Sequence, residues 1–403
     1  MYQSSCMFQL LFIFQLLFMA CQQVETVVND QRGVHPVKYV LVERGEKNFP
    51  LDSLTSPFLK SVQHFEIDSD SGTTRYLSFL NNTVNTIYFY NYDTEEFLFK
   101  IQYEKKGPHG VGRPDGFHFH NFDSIFLYNY YRKTLYLTDS GARVYQHFFL
   151  NEVPPSAGNY VPTAQLYTHK PMVVLGDTVF ISGYLGGEMS DENASNRPIT
   201  KILNMKTAEV INTNRYSPPY LSGNWGGQLF RHVYSTFNPE KRRFVFSFPI
   251  DHYVYETSLL DTIMTPHYAG SRYFGDIKSL SLSKRIPPSR DMKAKLHSLN
   301  PSYYAILYDK YRKVYYRVAH LPISEQDFHH PDINISRMKQ PSIIILDENL
   351  QYIGESLLPK QTYAEGLMFV SREGLNIRRW PHIELGEDTL RLKILVLEEN
   401  PDA

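Results

Sequence analysis

The chain has 403 residues, with 41 Lys or Arg against 42 Asp or Glu and a formal net charge of −1. With this charge balance and no basic stripe, nucleic acid is not an expected partner. Aromatic residues make up 14 % of the chain, with 30 Tyr and 26 Phe, and these residue types favour half-buried β-strands.

The N-terminus carries a short apolar run that ends at a cysteine. Residues 1–20 contain no charged residue, and only two glutamines interrupt the apolar stretch Met7–Ala20. A membrane-spanning helix needs about 20 apolar residues, whereas a secretory signal needs only roughly 7 to 15 followed by small residues. We therefore predict a signal peptide over residues 1–20 and a bacterial lipoprotein with Cys21 as its acylated first residue. An ordinary cleaved signal and an uncleaved anchor are the alternatives.

Cysteine usage favours the lipoprotein. The chain has two cysteines, Cys6 and Cys21, so cleavage before Cys21 leaves no disulfide. An exported domain without disulfides is typical of a bacterial envelope protein rather than a eukaryotic secreted one. We expect a lipid-anchored envelope location, on the outer membrane or the periplasmic face, with a linker over residues 21–35 and one folded domain over residues 36–403.

Short strands are predicted through the rest of the chain. Each candidate alternates apolar and polar residues and ends in an Asn, Asp or Gly turn, which is typical of hairpins. The clearest runs are NTIYFYN, DSIFLYN, GDTVFIS, RRFVFSF, YAILYD, PSIIIL and TLRLKILVLEE. No amphipathic crossover helix separates them, which argues against a parallel α/β sheet, and the stretch from Gly270 to Asp291 is predicted as a loop.

A regular spacing along the chain predicts a ring of sheets. One polar residue recurs at intervals of 54, 51, 63, 65 and 68 residues: His64, His118, His169, His232, His297 and Glu365. Each unit is somewhat longer than a propeller blade, which has roughly 40 to 50 residues, and longer loops would account for the difference. We predict an all-β, six-bladed β-propeller with seven blades as the alternative count, and an Ig-like multi-sandwich or a β-helix as the alternative folds.

Both chain ends are expected to close this ring. The run VKYVLVERG, Val37 to Gly45, has no partner of its own, and LRLKILVLEE is the last strand of the chain. Pairing them hides two edge strands that would otherwise invite aggregation.

Three stretches together resemble a known family. They are the lipoprotein start, GPHGVGRPDGFHFHNFDSIFLYN from Gly107 to Asn129, and EGLMFVSREGLNIRR from Glu365 to Arg379. In these the chain is similar to Bacteroidetes lipoproteins of the domain-of-unknown-function family 4221. The resemblance implies a TolB-like six-bladed propeller and an envelope address, and it supplies no catalytic residues.

The loop GPHGVGRPDG, followed by a histidine pair, supplies the first candidate site. It lacks the Lys-Ser/Thr ending and the helix of a phosphate loop, so it is interpreted as an inter-blade loop from which Arg113 and Asp115 reach the channel mouth, or as a purely structural loop. His118 and His120 lie on one face of a strand. They would need a third ligand such as His232, His297 or Glu365 to bind zinc; because hydrogen-bonded strand histidines are the simpler interpretation, no metal is predicted.

Two tryptophans complete the candidate set. Trp225, in SGNWGGQ, is suited to stacking on a sugar ring or a peptide side chain, or to packing between blades. Trp380 lies beside Arg378 and Arg379. We expect Arg113, Asp115, His118, Trp225 and Arg378 around one mouth of the ring.

No nucleophile pattern is present, and neither catalytic residues nor a cofactor are predicted. The expected function is a lipid-anchored binding or scaffold module for a glycan, a peptide or an envelope protein. The alternative is a channel-metal hydrolase or lyase of the propeller type, for which Glu365, Asn224 and Asp276 are conceivable ligands.

Overall fold

A computed structural model describes residues 24–70, 72–150, 162–184, 191–192, 197–259, 261–329, 339–380 and 388–403. The predicted signal peptide, residues 1–20, and the predicted lipidation site Cys21 lie outside this range. The described part is almost entirely β-structure, as predicted, with two short α-helices and two 3₁₀ turns.

In chain order the strands are β1 (Thr26–Val27), β2 (Tyr39–Pro50), β3 (Val62–Ser69), β4 (Gly72–Asn81), β5 (Thr86–Asn91), β6 (Phe97–Gln102), β7 (Gly116–Asn121), β8 (Ser124–Asn129), β9 (Thr134–Thr138), β10 (Val144–Phe149), β11 (Thr163–Ala164), β12 (Val173–Leu175), β13 (Thr178–Tyr184), β14 (Pro198–Asn204), β15 (Val210–Arg215), β16 (Tyr234–Asn238), β17 (Arg243–Ser247), β18 (Tyr253–Ser258), β19 (Thr265–Tyr268), β20 (Ile277–Lys278), β21 (Ser302–Asp309), β22 (Val314–His320), β23 (Pro341–Leu346), β24 (Tyr352–Leu357), β25 (Tyr363–Val370), β26 (Leu375–Arg379) and β27 (Thr389–Glu399). The helices are α1 (Arg290–Leu299) and α2 (Glu325–Phe328), and the 3₁₀ turns are Pro218–Leu221 and Gly227–Phe230.

A recurring side-chain cap closes the hairpins. The carboxamide oxygen of Asn238 accepts the backbone N–H groups of Glu240 and Lys241 at 3.1 Å each, and the Asp309 carboxylate caps its turn in the same way. Four residues after each cap the chain turns through positive φ, 50° at Arg242 and 54° at Lys313. Asn and Asp side chains stabilise such turns locally, so the sequence pattern of a strand, an Asn or Asp, and a second strand folds as a hairpin.

The strands form antiparallel sheets of four, with two departures. Three sheets have the simple orders β3-β4-β5-β6, β7-β8-β9-β10 and β16-β17-β18-β19. A fourth has the order β11-β13-β14-β15, with β12 also paired to β13. The largest has eight strands in the order β21-β22-β23-β24-β2-β27-β26-β25, in which the register between β24 and β2 is a single parallel bridge between Gly354 and Tyr39.

The predicted pairing of the two chain ends is confirmed. Strand β2 lies antiparallel to β27 in a register that runs from Tyr39 opposite Glu399 to Pro50 opposite Thr389. A bulge at Glu43 and Gly45 shifts this register once. The N-terminal strand is thus held by the C-terminal strand, and neither is left as an open edge.

The first strands of the sheets face one another, which gives a propeller-like arrangement. The Phe65 ring on β3 stacks on Phe119 of β7 with centroids 4.1 Å apart, and His64 on β3 stacks on Phe369 of β25 at 5.6 Å. The Tyr234 ring on β16 lies 4.8 Å from Tyr304 on β21. We call these first strands, together with β11, the inner strands. The apolar core lies in separate clusters between adjacent sheets.

The segment expected to be a linker is docked from Val24 onward. Strand β1 pairs with β20, and the Asn29 side-chain amide donates to the carbonyls of Ser271 and Phe274 at 2.8 and 2.9 Å. Residues 24–29 are therefore fixed on the connection between β19 and α1.

Candidate functional site

A cavity of about 460 Å³ opens at the end of the ring where the inner strands begin. Lys60 lies just before β3, His169 follows β11, His232 precedes β16, and Tyr304 and Glu365 lie near the starts of β21 and β25. Because several inner strands begin at this end, side chains distant in sequence meet around one space.

The spacing found in the sequence marks this cavity. Four of the six regularly spaced residues line it: His169, His232, His297 and Glu365. His118 lines an adjoining cleft that shares Tyr167 with the cavity. The interval therefore records where each inner strand begins.

One wall is a stack of rings. The Tyr304 ring lies between two imidazoles, 5.0 Å from His169 and 5.3 Å from His320, at interplanar angles of 28° and 30°. His169 Nδ1 lies 2.9 Å from the Gly366 carbonyl oxygen. A carbonyl only accepts, so Nδ1 carries the proton and Nε2 accepts from the Tyr304 hydroxyl at 3.2 Å. Burial lowers the pKa of His169 to about 3, which keeps this imidazole neutral at pH 7.

The cavity lining carries more positive than negative charge. Lys60, Lys339 and Arg378 line it, and Glu365 is the single carboxylate among its described lining residues. His320 Nε2 lies 3.8 Å from a Glu365 carboxylate oxygen. An anion entering the cavity therefore meets a net positive charge in a partly desolvated space, where electrostatic attraction exceeds that in water.

Lys339 is held in place by neutral groups. Its ammonium donates to the carbonyls of His297 and Asn300 at 2.8 Å each and to the Ser302 hydroxyl at 3.1 Å, and the residue is 6 % exposed. Burial lowers the pKa of Lys339 to about 7. A cation so placed is poorly compensated by the protein, and an anion in the cavity would favour its charged form.

A second buried lysine lies behind the wall. Lys170 Nζ donates to Gln165 Oε1 at 2.6 Å and lies 2.9 Å from His232 Nδ1. Burial lowers the pKa of Lys170 to about 7, and burial together with Lys170 lowers the pKa of His232 well below its usual value. Lys170 thus adds positive potential next to the cavity.

Arg378 is the one predicted site residue that lines the cavity itself. Its guanidinium donates to the Pro57 carbonyl at 2.6 Å and lies 5.3 Å from the centroid of the Trp380 ring. Asp115 lines a small cleft that shares Lys60 with the cavity, and its carboxylate accepts the Tyr130 N–H at 2.9 Å.

The other predicted residues lie elsewhere. His118 faces the cleft beside Tyr167, with its Nδ1 3.2 Å from the Gln63 amide nitrogen. Arg113 is exposed on the loop before β7. Trp225 is 1 % exposed, and its indole N–H lies 2.8 Å from the Ser222 carbonyl. The packing role is therefore the one that the structure shows for Trp225, which lies in the same buried apolar cluster as Leu296 of α1.

The residues considered for a metal are separated. Asn224 is fully buried and donates to the carbonyls of Ser283 and Ile286 at 2.9 Å, and Asp276 accepts the Asn29 N–H at 3.2 Å. Neither lines the cavity that contains Glu365. In the part of the chain with described coordinates, no three His, Cys, Asp or Glu side chains converge as a metal-binding group.

Sequence reasoning missed several cavity residues. Lys60, Tyr304, His320 and Lys339 stand in no motif. The histidine interval was the usable signal, because the inner strands begin at the same end of the ring as the cavity. Buried lysines carry no such signature, since their neighbours come from other sheets.

The family model of the domain of unknown function DUF4221 matches residues 38–357. The chain belongs to this family. A DUF4221 member from Bacteroides vulgatus has a similar structure, with a TM-score of 0.74 at 22 % identity, over 90 % of this chain and 99 % of that one. This likeness establishes the fold and leaves function open.

Two more distant structures carry no argument about function. One, from Bacteroides fragilis and thought to be an exported protein, has a TM-score of 0.49 at 11 % identity, over 91 % of this chain and 98 % of that one. The other, a protein of unknown function from Bacteroides thetaiotaomicron, has a TM-score of 0.44 at 11 % identity, over 93 % and 77 %. No curated protein matches the chain. None of the helices within the described ranges has the length and apolar character needed to cross a membrane.

Proposed function

We propose that this DUF4221 protein is a lipid-anchored binding protein of the bacterial envelope, whose cavity takes a carboxylated sugar of an envelope glycan. The observation that carries the proposal is the cavity lining, whose described residues include Lys60, Lys339 and Arg378, one carboxylate and a stack of aromatic rings.

The scaffold that we propose for this cavity is a six-bladed propeller. The two halves of the eight-stranded sheet meet at β24 and β2, whose register is a single bridge between Tyr39 and Gly354. On one side lie β21 to β24, and on the other β25 to β27 with β2. Counted as two blades, they join the four other large sheets to give six, and the pairing of β2 with β27 would then close the last blade.

The cavity chemistry favours an acidic sugar. Its volume of about 460 Å³ falls in the range of roughly 300–1,000 Å³ that small-ligand sites occupy. The flat ring of Trp380 suits the apolar face of a sugar, while Lys60 and Arg378 suit a carboxylate. A peptide C-terminus has the same charged group and lacks the ring.

Calorimetric titration tests the ligand class. The protein is the mature chain from residue 21 with Cys21→Ser, titrated with uronic-acid-terminated oligosaccharides and with their neutral, reduced counterparts. We expect saturable binding of the acidic sugars alone, weakened by added salt. Equal binding of the neutral sugars, or no binding of either, would overturn the proposal. Peptides with free and amidated C-termini form the second arm, and binding of the free peptides instead would replace the sugar by a peptide ligand.

A charge reversal at the cavity edge tests the position of the binding site. Lys60 is exposed at the cavity edge, so Lys60→Glu should leave folding intact and weaken acidic-sugar binding about tenfold, as the loss of one charged hydrogen bond implies. Lys105→Glu, also at an exposed position but away from the cavity, is the matched control and should bind like the unchanged protein.

The anchor has its own test. In a bacterial host given labelled palmitate, we expect label on the protein and none on Cys21→Ala. Label that persists on Cys21→Ala would argue against acylation at this residue.

A further inference from the structure

The connection from β20 through α1 carries an unusual density of positive charge. Between residues 278 and 295 there are six basic residues and one acidic residue, Asp291, in a chain with a formal net charge of −1. The basic residues are Lys278, Lys284, Arg285, Arg290, Lys293 and Lys295. We call this segment, together with the Leu221 turn packed against it, the basic rim.

Ion pairs neutralise only part of the basic rim. Arg285 lies 3.1 Å from a Glu192 carboxylate oxygen, and Lys295 lies 3.2 Å from one of Glu325. Lys278, Arg285, Arg290 and Lys295 are all exposed. Among the described residues of the basic rim and its contacts, Glu25, Glu192, Asp291 and Glu325 supply four carboxylates against six basic side chains, so this surface keeps a net positive charge.

Large apolar side chains are exposed among these charges. Leu221, Ile286 and Met292 are 51, 46 and 38 % exposed. Leu221 and Ile286 lie on neighbouring segments, since Lys284 Nζ donates to the Leu221 carbonyl at 2.8 Å and the Asn224 amide donates to the Ile286 carbonyl at 2.9 Å. Met292 follows six residues after Ile286, in the first turn of α1. Apolar side chains interspersed with lysines and arginines are typical of surfaces that lie in a membrane interface.

The N-terminal segment joins the protein body at this same patch. Glu25 and Ser279 exchange two hydrogen bonds of 2.9 Å, from the Glu25 N–H to the Ser279 hydroxyl and from the Ser279 N–H to the Glu25 carbonyl. Val24, itself 40 % exposed, follows Cys21 by three residues, which span about 10 Å at most. An acyl group on Cys21 would therefore hold the end of the basic rim at Ser279 near the bilayer.

We infer that the basic rim docks on the surface of a bilayer that contains anionic phospholipids. Lysines and arginines near such a surface are attracted by its negative potential, and the exposed apolar side chains enter the interface. One acyl chain anchors a protein only marginally, and a basic patch provides the second attachment that makes the anchoring stable. This inference rests in part on the proposed lipid anchor and is independent of the proposed ligand.

Docking through the basic rim also orients the cavity. His297 on α1 and Leu229 beside it line the cavity, so the cavity mouth lies next to the docked surface. The ligand would then be bound close to the membrane plane rather than far out in the envelope.

Vesicle co-sedimentation tests the basic rim without any lipid on the protein. The mature chain with Cys21→Ser is mixed with vesicles of phosphatidylcholine alone and of phosphatidylcholine with about 30 % phosphatidylglycerol; this fraction sets the negative surface potential. We expect binding to the anionic vesicles alone and its loss at high salt. Lys284→Glu, Arg290→Glu and Met292→Ser should each weaken binding, the two charge reversals by about fivefold or more.

A charge-matched variant provides the control. Lys105→Glu reverses one exposed charge on another part of the ring, as each single charge reversal in the basic rim does, and should sediment like the unchanged protein. Equal weakening by this control would show a non-specific charge effect and overturn the assignment, as would equal binding to neutral vesicles or no binding to either kind. Circular dichroism of each variant confirms that it is folded.

Discussion

Arg317 offers a direct test of how the sheets β16–β19 and β21–β24 are held together. Its side chain is fully buried on β22. The guanidinium donates to the Ser247 hydroxyl at 2.9 Å and to the carbonyls of Ala269 and Asp251 at 2.9 and 2.6 Å, with longer bonds to those of His252 and Phe248. It also lies 3.5 Å from the centroid of the Tyr303 ring.

The cost of Arg317→Met follows from what this change leaves unpaired. The Phe248 and His252 carbonyls also accept backbone N–H groups and keep one partner each. The Asp251 and Ala269 carbonyls have Arg317 as their one donor among the described contacts. Two buried carbonyls without a donor cost about 2–6 kcal/mol together, and removal of a buried charge offsets part of this cost. We expect a net loss of about 2–4 kcal/mol in the free energy of unfolding.

Urea unfolding followed by intrinsic fluorescence measures this loss, with an unchanged slope showing that the same surface unfolds. Arg243→Met is the control, because Arg243 is exposed on β17 and should change stability by less than about 0.5 kcal/mol. A loss for Arg317→Met no larger than that of the control would refute the assignment of Arg317 as the link between these sheets.

Three further predictions concern the core and the closure of the ring. Acid should destabilise the protein between about pH 6.5 and 4, because the unfolded chain then binds more protons than the folded one. Burial lowers the pKa of five histidines to about 3 or 4 in the folded protein: His64, His118, His169, His252 and His297. Chemical unfolding at several pH values measures this loss of stability, and a stability that does not change with pH would contradict it. Trp225→Ala should cost about 3–5 kcal/mol of unfolding free energy, whereas Tyr131→Ala, at an 80 % exposed position, should cost almost nothing; equal effects would remove Trp225 from the core. Cysteines at Val42 and Val396, which lie opposite each other in β2 and β27, should form a disulfide that adds about 2–4 kcal/mol, and failure to cross-link would mean that the chain ends do not pair.

The sequence predicted the strand content and the end-to-end pairing because both have local signatures. Alternation and Asn or Asp caps mark each hairpin, and an unpartnered strand at each end of the chain indicates closure. Helix α1 was missed, although Ser289 caps its first turn by accepting the Met292 N–H at 3.2 Å. The loop was predicted to run from Gly270 to Asp291, because prolines precede the helix and its apolar face is short.

The cavity was only partly predictable, because its residues come from different sheets. Regular spacing located His169, His232, His297 and Glu365, since the inner strands all begin at one end of the ring. Lys339 and Tyr304 gained their roles from neighbours far away in sequence. Trp225 misled for the opposite reason: Gly and Asn around a tryptophan suggest an exposed loop, but here the glycines let α1 pack closely, with Leu296 within 2.8 Å of where a Cβ on Gly226 would lie.

Tryptophan fluorescence during titration with an acidic oligosaccharide tests the proposed cavity most directly. The protein has two tryptophans: Trp380 lines the cavity and Trp225 is buried away from solvent. We predict a saturable change in emission at the ligand concentrations where calorimetry reports binding, and its absence in Trp380→Phe. Calorimetric binding of the sugar without any change in Trp380 emission would place the ligand elsewhere and contradict the account.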